Sequence, residues 1–171
     1  FDRFGVRATW AVVGHLMLAE CDGTHDELSV PTYPEVQGWY SDDPGSSFNE
    51  HPLRYAPDVI TTITEATVEH EIGLHTFSHV ICDRPGCSAT VLREEIERCK
   101  ELAEDFGFEP TTLVFPRNGV AHLEVLADAG ISIYRGLSAD AALRRKLLGR
   151  YREYLRFLFR TAPPVVTPTR M

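Results

Sequence analysis

The chain has 171 residues and carries 17 Lys and Arg against 25 Asp and Glu, a formal net charge of -8 at pH 7. That length supports one domain with a sizeable core, and the mixed apolar and charged composition excludes a disordered tail. The acidic balance argues against a general nucleic-acid binder, whose affinity rests on a basic surface, and no apolar run reaches the roughly 18–20 residues needed to span a bilayer.

Taken in order, GVRATWAVVG (residues 5–14) is apolar, β-branched and bounded by glycines, which predicts a buried strand. Residues 21–57 then form a long insertion punctuated by Pro31, Pro34, Gly38, Pro44, Gly45 and Pro52. A segment of that length without periodicity is functional or disordered in most compact domains. Within it, Trp39 and Tyr40 are candidates to face a ligand, although packing onto the core is the commoner use of such aromatics. A helix is expected from Asp58 to about Glu69, and EIGL (residues 71–74) reads as a short buried strand.

A stronger helix begins at Ser88. Leu92, Ile96, Cys99, Ala103 and Phe106 recur at three- and four-residue steps, Glu94 and Glu95 lie near the positive end of the dipole, and Gly107 marks the stop. TTLVF (residues 111–115) is the next strand, PRNG turns, residues 122–129 are helical up to Gly130, and ISIY is a further strand. Strands alternating with helices predict an α/β fold with a parallel sheet or βα barrel. At residues 143–160, LRRKLLGRYREYLRFLFR spells a basic amphipathic helix. A helix covering the sheet, with its basic face in water, is favoured over contact with an anionic membrane.

Four cysteines, Cys21, Cys82, Cys87 and Cys99, are too few for a disulfide scaffold and lack Cys-x-x-Cys spacing, so they read as buried free thiols. Cys82 and Cys87 would close a small loop only in an exported protein. The opening FDRFGVRATW has no signal-peptide layout, which makes a cytoplasmic location the expectation.

HEIGLHTFSH (residues 70–79) concentrates three histidines. His70 and His75 frame a near-copy of His-Glu-x-x-His, but five residues of helix rotate the second imidazole about 140° from the first, so a helix cannot aim both at one ion. His75 and His79, four apart, can reach one side if the chain leaves the strand for a helical turn. The spacing alone is equally compatible with a metal pair and with two histidines satisfied by backbone hydrogen bonds. In a parallel sheet EIGL and TTLVF both end at the carboxyl edge, where such folds keep their sites. Arg117 then becomes either a bidentate holder of a carboxylate or an ordinary surface arginine.

GVRATWAVVG, HEIGLHTFSH and LVFPRNGVAHLEVL, in this order, resemble the polysaccharide deacetylase family, the family 4 carbohydrate esterases with the NodB-homology fold. The resemblance spans residues 4–136. It implies a distorted βα barrel, here incomplete at its N-terminus, and metal-dependent hydrolysis of N-acetyl groups on a glycan, a carbon–nitrogen bond that is not a peptide bond. It further implies His75 and His79 as ligands of a divalent metal, zinc most often. Arg117 would be the arginine that orients the catalytic aspartate, with Phe115, Pro116 and Trp39 at the substrate. The long insertion, and FPRN in place of Arg-x-Pro, point to a divergent prokaryotic branch. The family's Asp-Asp motif, source of the general base and third ligand, would precede Phe1, and no histidine follows His122 to act as the general acid. The expectation is therefore an inactive fragment of an enzyme. The alternative is a non-catalytic glycan-binding or assembly domain that kept the fold.

Overall fold

The computed structural model describes residues 1–136. Its centre is a four-stranded, all-parallel sheet in the order β1 (Thr9–Val12), β2 (Glu71–Leu74), β3 (Thr112–Val114) and β4 (Ile133–Arg135). The register pairs Thr9 with Glu71 and Val12 with Leu74, Leu74 with Leu113, and Leu113 with Tyr134. Among the described residues the sheet is open and does not close into a barrel. The expected basic helix at residues 143–160 lies outside the described residues.

β2 and β3 run through the core, whereas β1, expected to be buried, is buried only at Val12, and β4 is exposed along its length. Leu74, Leu92, Ile96, Cys99, Leu113 and Leu126 are fully buried, and they belong to one cluster shared by sheet and helices. Gly73 sits in β2 because a side chain there would meet the Thr112 carbonyl at 3.2 Å. Beside it, Glu71 is hydrogen-bonded by Thr9 on one side and Thr112 on the other, tying three strands.

The helices follow the predicted order with adjusted limits. α1 (Pro57–Thr64) has Pro57 in its first turn, where a missing N–H costs nothing, and ends well before Glu69. Its threonines turn their hydroxyls back onto the helix: Thr61 to Pro57 O, Thr62 to Asp58 O and Thr64 to Thr61 O. Such back-bonding and β-branching weaken a helix that has little else to extend it. α2 (Ala89–Asp105) starts where expected, its N-cap Ser88 hydroxyl accepting the Val91 N–H, and Gly107 follows at φ 72. α3 (Leu123–Asp128) is followed by Gly130 at φ 75, and β4 begins two residues later than ISIY implied.

The 21–57 segment is ordered and anchored at several points. Tyr33 is buried, donating to the Ile81 carbonyl at 3.0 Å and accepting the Ile81 N–H at 2.8 Å. Cys21 N bonds Ser46 O, Phe48 N bonds Ala19 O, and Ala56 N bonds Leu16 O. Cys82 and Cys87 are free and buried, as are the thiols of the remaining pair except Cys21, which is half-buried.

Candidate active site

A parallel sheet places every strand's carboxyl end along one edge, and the loops leaving that edge are bound to one another. The His75 N–H donates to Val12 O at 2.8 Å, Gly14 N to Thr76 O at 2.9 Å and His15 N to Phe77 O at 2.9 Å, while Phe115 N reaches Arg135 O at 2.9 Å. His70 lies at the other end of β2, about 16 Å of strand from His75. There its Nδ1 accepts the Ala8 N–H and its ring meets Trp10 edge-on. The sheet thus separates the two histidines that helical geometry had already separated.

His75 and His79 come together, their ring centroids 4.8 Å apart at 67°. The route differs from the expected helical turn. Thr76 and His79 both adopt left-handed backbone, φ 59 and φ 63, with a bend between them. The Thr76 hydroxyl closes that bend by accepting the buried Val80 N–H at 3.1 Å. Left-handed conformation is costly for a β-branched residue and concentrates at functional sites. Arg117 and Asn118 in the facing turn share it, φ 52 and φ 60.

A backbone carbonyl orients the first ring. His75 Nδ1 lies 2.6 Å from the Val114 carbonyl oxygen, which can only accept, so Nδ1 donates there and Nε2 is the nitrogen left to face an ion. Burial first, then the adjoining His75 and Arg117, pushes the His79 imidazole below its ordinary value, which keeps it neutral at pH 7. Two adjacent imidazoles, one with a backbone carbonyl behind it, suit a divalent ion in donor type. Among the described residues no third His, Cys, Asp or Glu joins them.

The other residues singled out from the sequence divide. Arg117 is exposed in the 3-10 turn Pro116–Asn118, close enough to His79 for its charge to be felt. Trp39 is half-buried and donates its indole N–H to the Ser78 hydroxyl at 2.7 Å. It lines a cleft of about 330 Å³ with Val13, His15, Tyr40 and Ser78. Phe115 is 1% exposed and packs edge-on against Tyr134, and Pro116 is buried. Both, expected at the substrate, immediately precede Arg117 and are buried. His122 is the left-handed N-cap of α3, its Nε2 donating to Cys87 O at 2.9 Å.

Glu95 was placed from the sequence at the helix dipole. It is instead 1% exposed and accepts both the Ser78 N–H and hydroxyl, beside the histidine pair. Burial raises its carboxyl above the usual range, offset in part by those hydrogen bonds. Its position on the apolar face one residue before Ile96 was the only signal available.

No helix among the described residues is long and apolar enough to cross a membrane. No curated protein and no solved structure matches the chain. The polysaccharide deacetylase profile does match, over residues 1–133, taking in all four strands up to the first residue of β4 and the His75, His79 and Arg117 loops. The chain belongs to the polysaccharide deacetylase family.

Proposed function

We propose that the His75–His79 edge serves metal-dependent hydrolysis of an N-acetyl group on a glycan. The observation that carries this reading is the pairing itself: two imidazoles in contact at the carboxyl edge, one held by the Val114 carbonyl and the other on strained backbone. His75 and His79 would hold the ion, and imidazole donors suit zinc. When bound, such an ion supplies Lewis-acid polarisation of the acetamide carbonyl and lowers the pKa of water.

The chain's own groups supply the rest of the arrangement. The Val114 carbonyl keeps the His75 proton on Nδ1 and so keeps Nε2 available. The Arg117 guanidinium offers two parallel N–H donors to a carboxylate, orienting it as a proton acceptor. Trp39, fixed by Ser78, walls the adjoining cleft with an aromatic face suited to a sugar ring. A glycan-binding domain without catalysis is the second reading, favoured by the lack of a third donor at the pair among the described residues.

Metal analysis tests the ligand assignment. His75→Ala together with His79→Ala is expected to remove one equivalent of bound divalent metal; unchanged content sinks the assignment. For the chemistry, acetate release from an N-acetylglucosamine oligomer is expected to fall by at least about 100-fold in the same variant. Glycan binding with no acetate release in the wild type would favour the second reading.

A further inference from the structure

His15 sits in the turn after β1, and Cys21, His25 and Asp43 lie on the insertion that follows. One donor atom from each lies within 4.8 Å of all the others. His15 Nε2 and His25 Nε2 approach the same atom, Asp43 Oδ2, at 2.7 and 3.0 Å. Cys21 Sγ is 3.5 Å from that oxygen and 3.6 Å from His15 Nε2. Bonds of about 2.0–2.3 Å to a tetrahedral zinc put donors about 3.3–3.6 Å apart, so small adjustments convert one set into the other. The side chains are enclosed: His15 is 15%, His25 4% and Asp43 8% exposed.

His15 is oriented for a ligand role. Its Nδ1 is 3.2 Å from the Arg54 carbonyl oxygen, an obligate acceptor, so Nδ1 donates there. That leaves Nε2 facing Asp43 Oδ2 at 2.7 Å, the atom that His25 Nε2 also approaches. A cation placed among the four donors engages all of them at once.

We propose that His15, Cys21, His25 and Asp43 bind a structural Zn²⁺ that fastens the 21–57 segment to the carboxyl edge of the sheet. The donor set favours it: a thiolate and imidazoles select zinc over magnesium or calcium. One thiolate, one carboxylate and two neutral imidazoles cancel the two charges of the ion, which suits an enclosed site. Four protein donors fill the tetrahedron and leave no open position, the mark of a structural site. A supporting shell is in place as well. Arg54 O holds His15, Gly45 N–H holds Asp43 Oδ1 at 3.1 Å, and the Tyr55 hydroxyl lies 3.1 Å from Cys21 Sγ and 3.2 Å from Asp43 Oδ1. His25 is held in left-handed backbone, φ 49, at the point where its ring must turn inward. Binding would release the Cys21 thiol proton to solvent, sulfur entering as thiolate.

This site shares no ligand with the His75–His79 pair, so the two assignments fail separately. Cobalt(II) added to the metal-free chain should give a near-ultraviolet thiolate-to-cobalt charge-transfer band that disappears in Cys21→Ser and persists in His75→Ala plus His79→Ala. A second measurement on the wild type is independent of any effect of Cys21→Ser on folding. Zinc should slow iodoacetamide alkylation of Cys21, mapped by peptide mass, at least about 10-fold. The band in the wild type and the protection of Cys21 establish the site. No charge-transfer band from the wild type, or a Cys21 alkylation rate indifferent to zinc, overturns it.

Discussion

Glu95 grips Ser78 at two atoms, accepting its backbone N–H at 2.7 Å and its hydroxyl at 2.5 Å, and so holds the residue that precedes His79. The contact joins the first turns of α2 to the loop leaving β2, and Trp39 extends it by donating to the same hydroxyl. One buried carboxyl therefore positions the bend that carries the histidine pair and an aromatic wall of the cleft.

Removing that carboxyl should be expensive. Glu95→Ala leaves the enclosed Ser78 donors without an acceptor, each worth about 1–3 kcal/mol when orphaned. A loss of about 3 kcal/mol in urea unfolding is expected. Glu95 also sets a pH dependence. Its folded pKa is raised above the unfolded value by burial, so the folded state binds the proton more tightly. Its contribution is then full below the unfolded pKa and is lost as pH rises through the folded pKa. Stability measured from pH 4 upward should decline over that window in the wild type, and the decline should be absent in Glu95→Gln. An unchanged slope in the variant would refute this origin.

Gly14 occupies a place where nothing larger fits. A Cβ there would lie 2.5 Å from Cys99 Sγ and 3.1 Å from Phe77 Cα, between α2 and the histidine loop. Gly14→Ala should lower stability by about 1–3 kcal/mol through overpacking. Cys99→Ala, destabilising by itself, removes the clashing sulfur, so thermal melts of the double variant should show less than the sum of the two losses. Simple additivity would mean that the Phe77 backbone carries the clash instead.

Thr76 combines an unfavourable conformation with a needed hydroxyl. At φ 59 it accepts the N–H of Val80, which is fully buried. Thr76→Val keeps the shape and the strain but deletes the acceptor, with an expected loss of about 1–3 kcal/mol. Thr76→Ser keeps the acceptor and should remain within about 1 kcal/mol of the wild type by chemical denaturation. A larger loss in Thr76→Ser than in Thr76→Val would assign the residue's role to its methyl group.

The parts of this fold that were legible in the sequence are those fixed by neighbours along the chain. Apolar strands and 3.6-residue helical stripes marked β2, β3 and α2 closely, and Ser88 and Gly107 marked the ends of α2, while β1 takes only Thr9–Val12 of the expected residues 5–14. The order of those elements also put His75, His79 and Arg117 at the ends of neighbouring strands, because parallel strands share a carboxyl edge. Periodicity was least informative for α1, whose threonines bond back onto their own helix, and for β4, whose start slipped by two residues.

What tertiary structure decided is what depends on long loops and on burial. The left-handed turns at Thr76, His79 and Arg117 are imposed by packing on residues whose intrinsic preferences oppose them. Burial turned Glu95 from a dipole partner into the support of Ser78, and it placed Phe115 in the core. The meeting of His15, Cys21, His25 and Asp43 spans 28 positions of aperiodic chain. Cys21-x-x-x-His25 was its only local trace, since a chain without repeating structure carries no spacing from which its return path can be read.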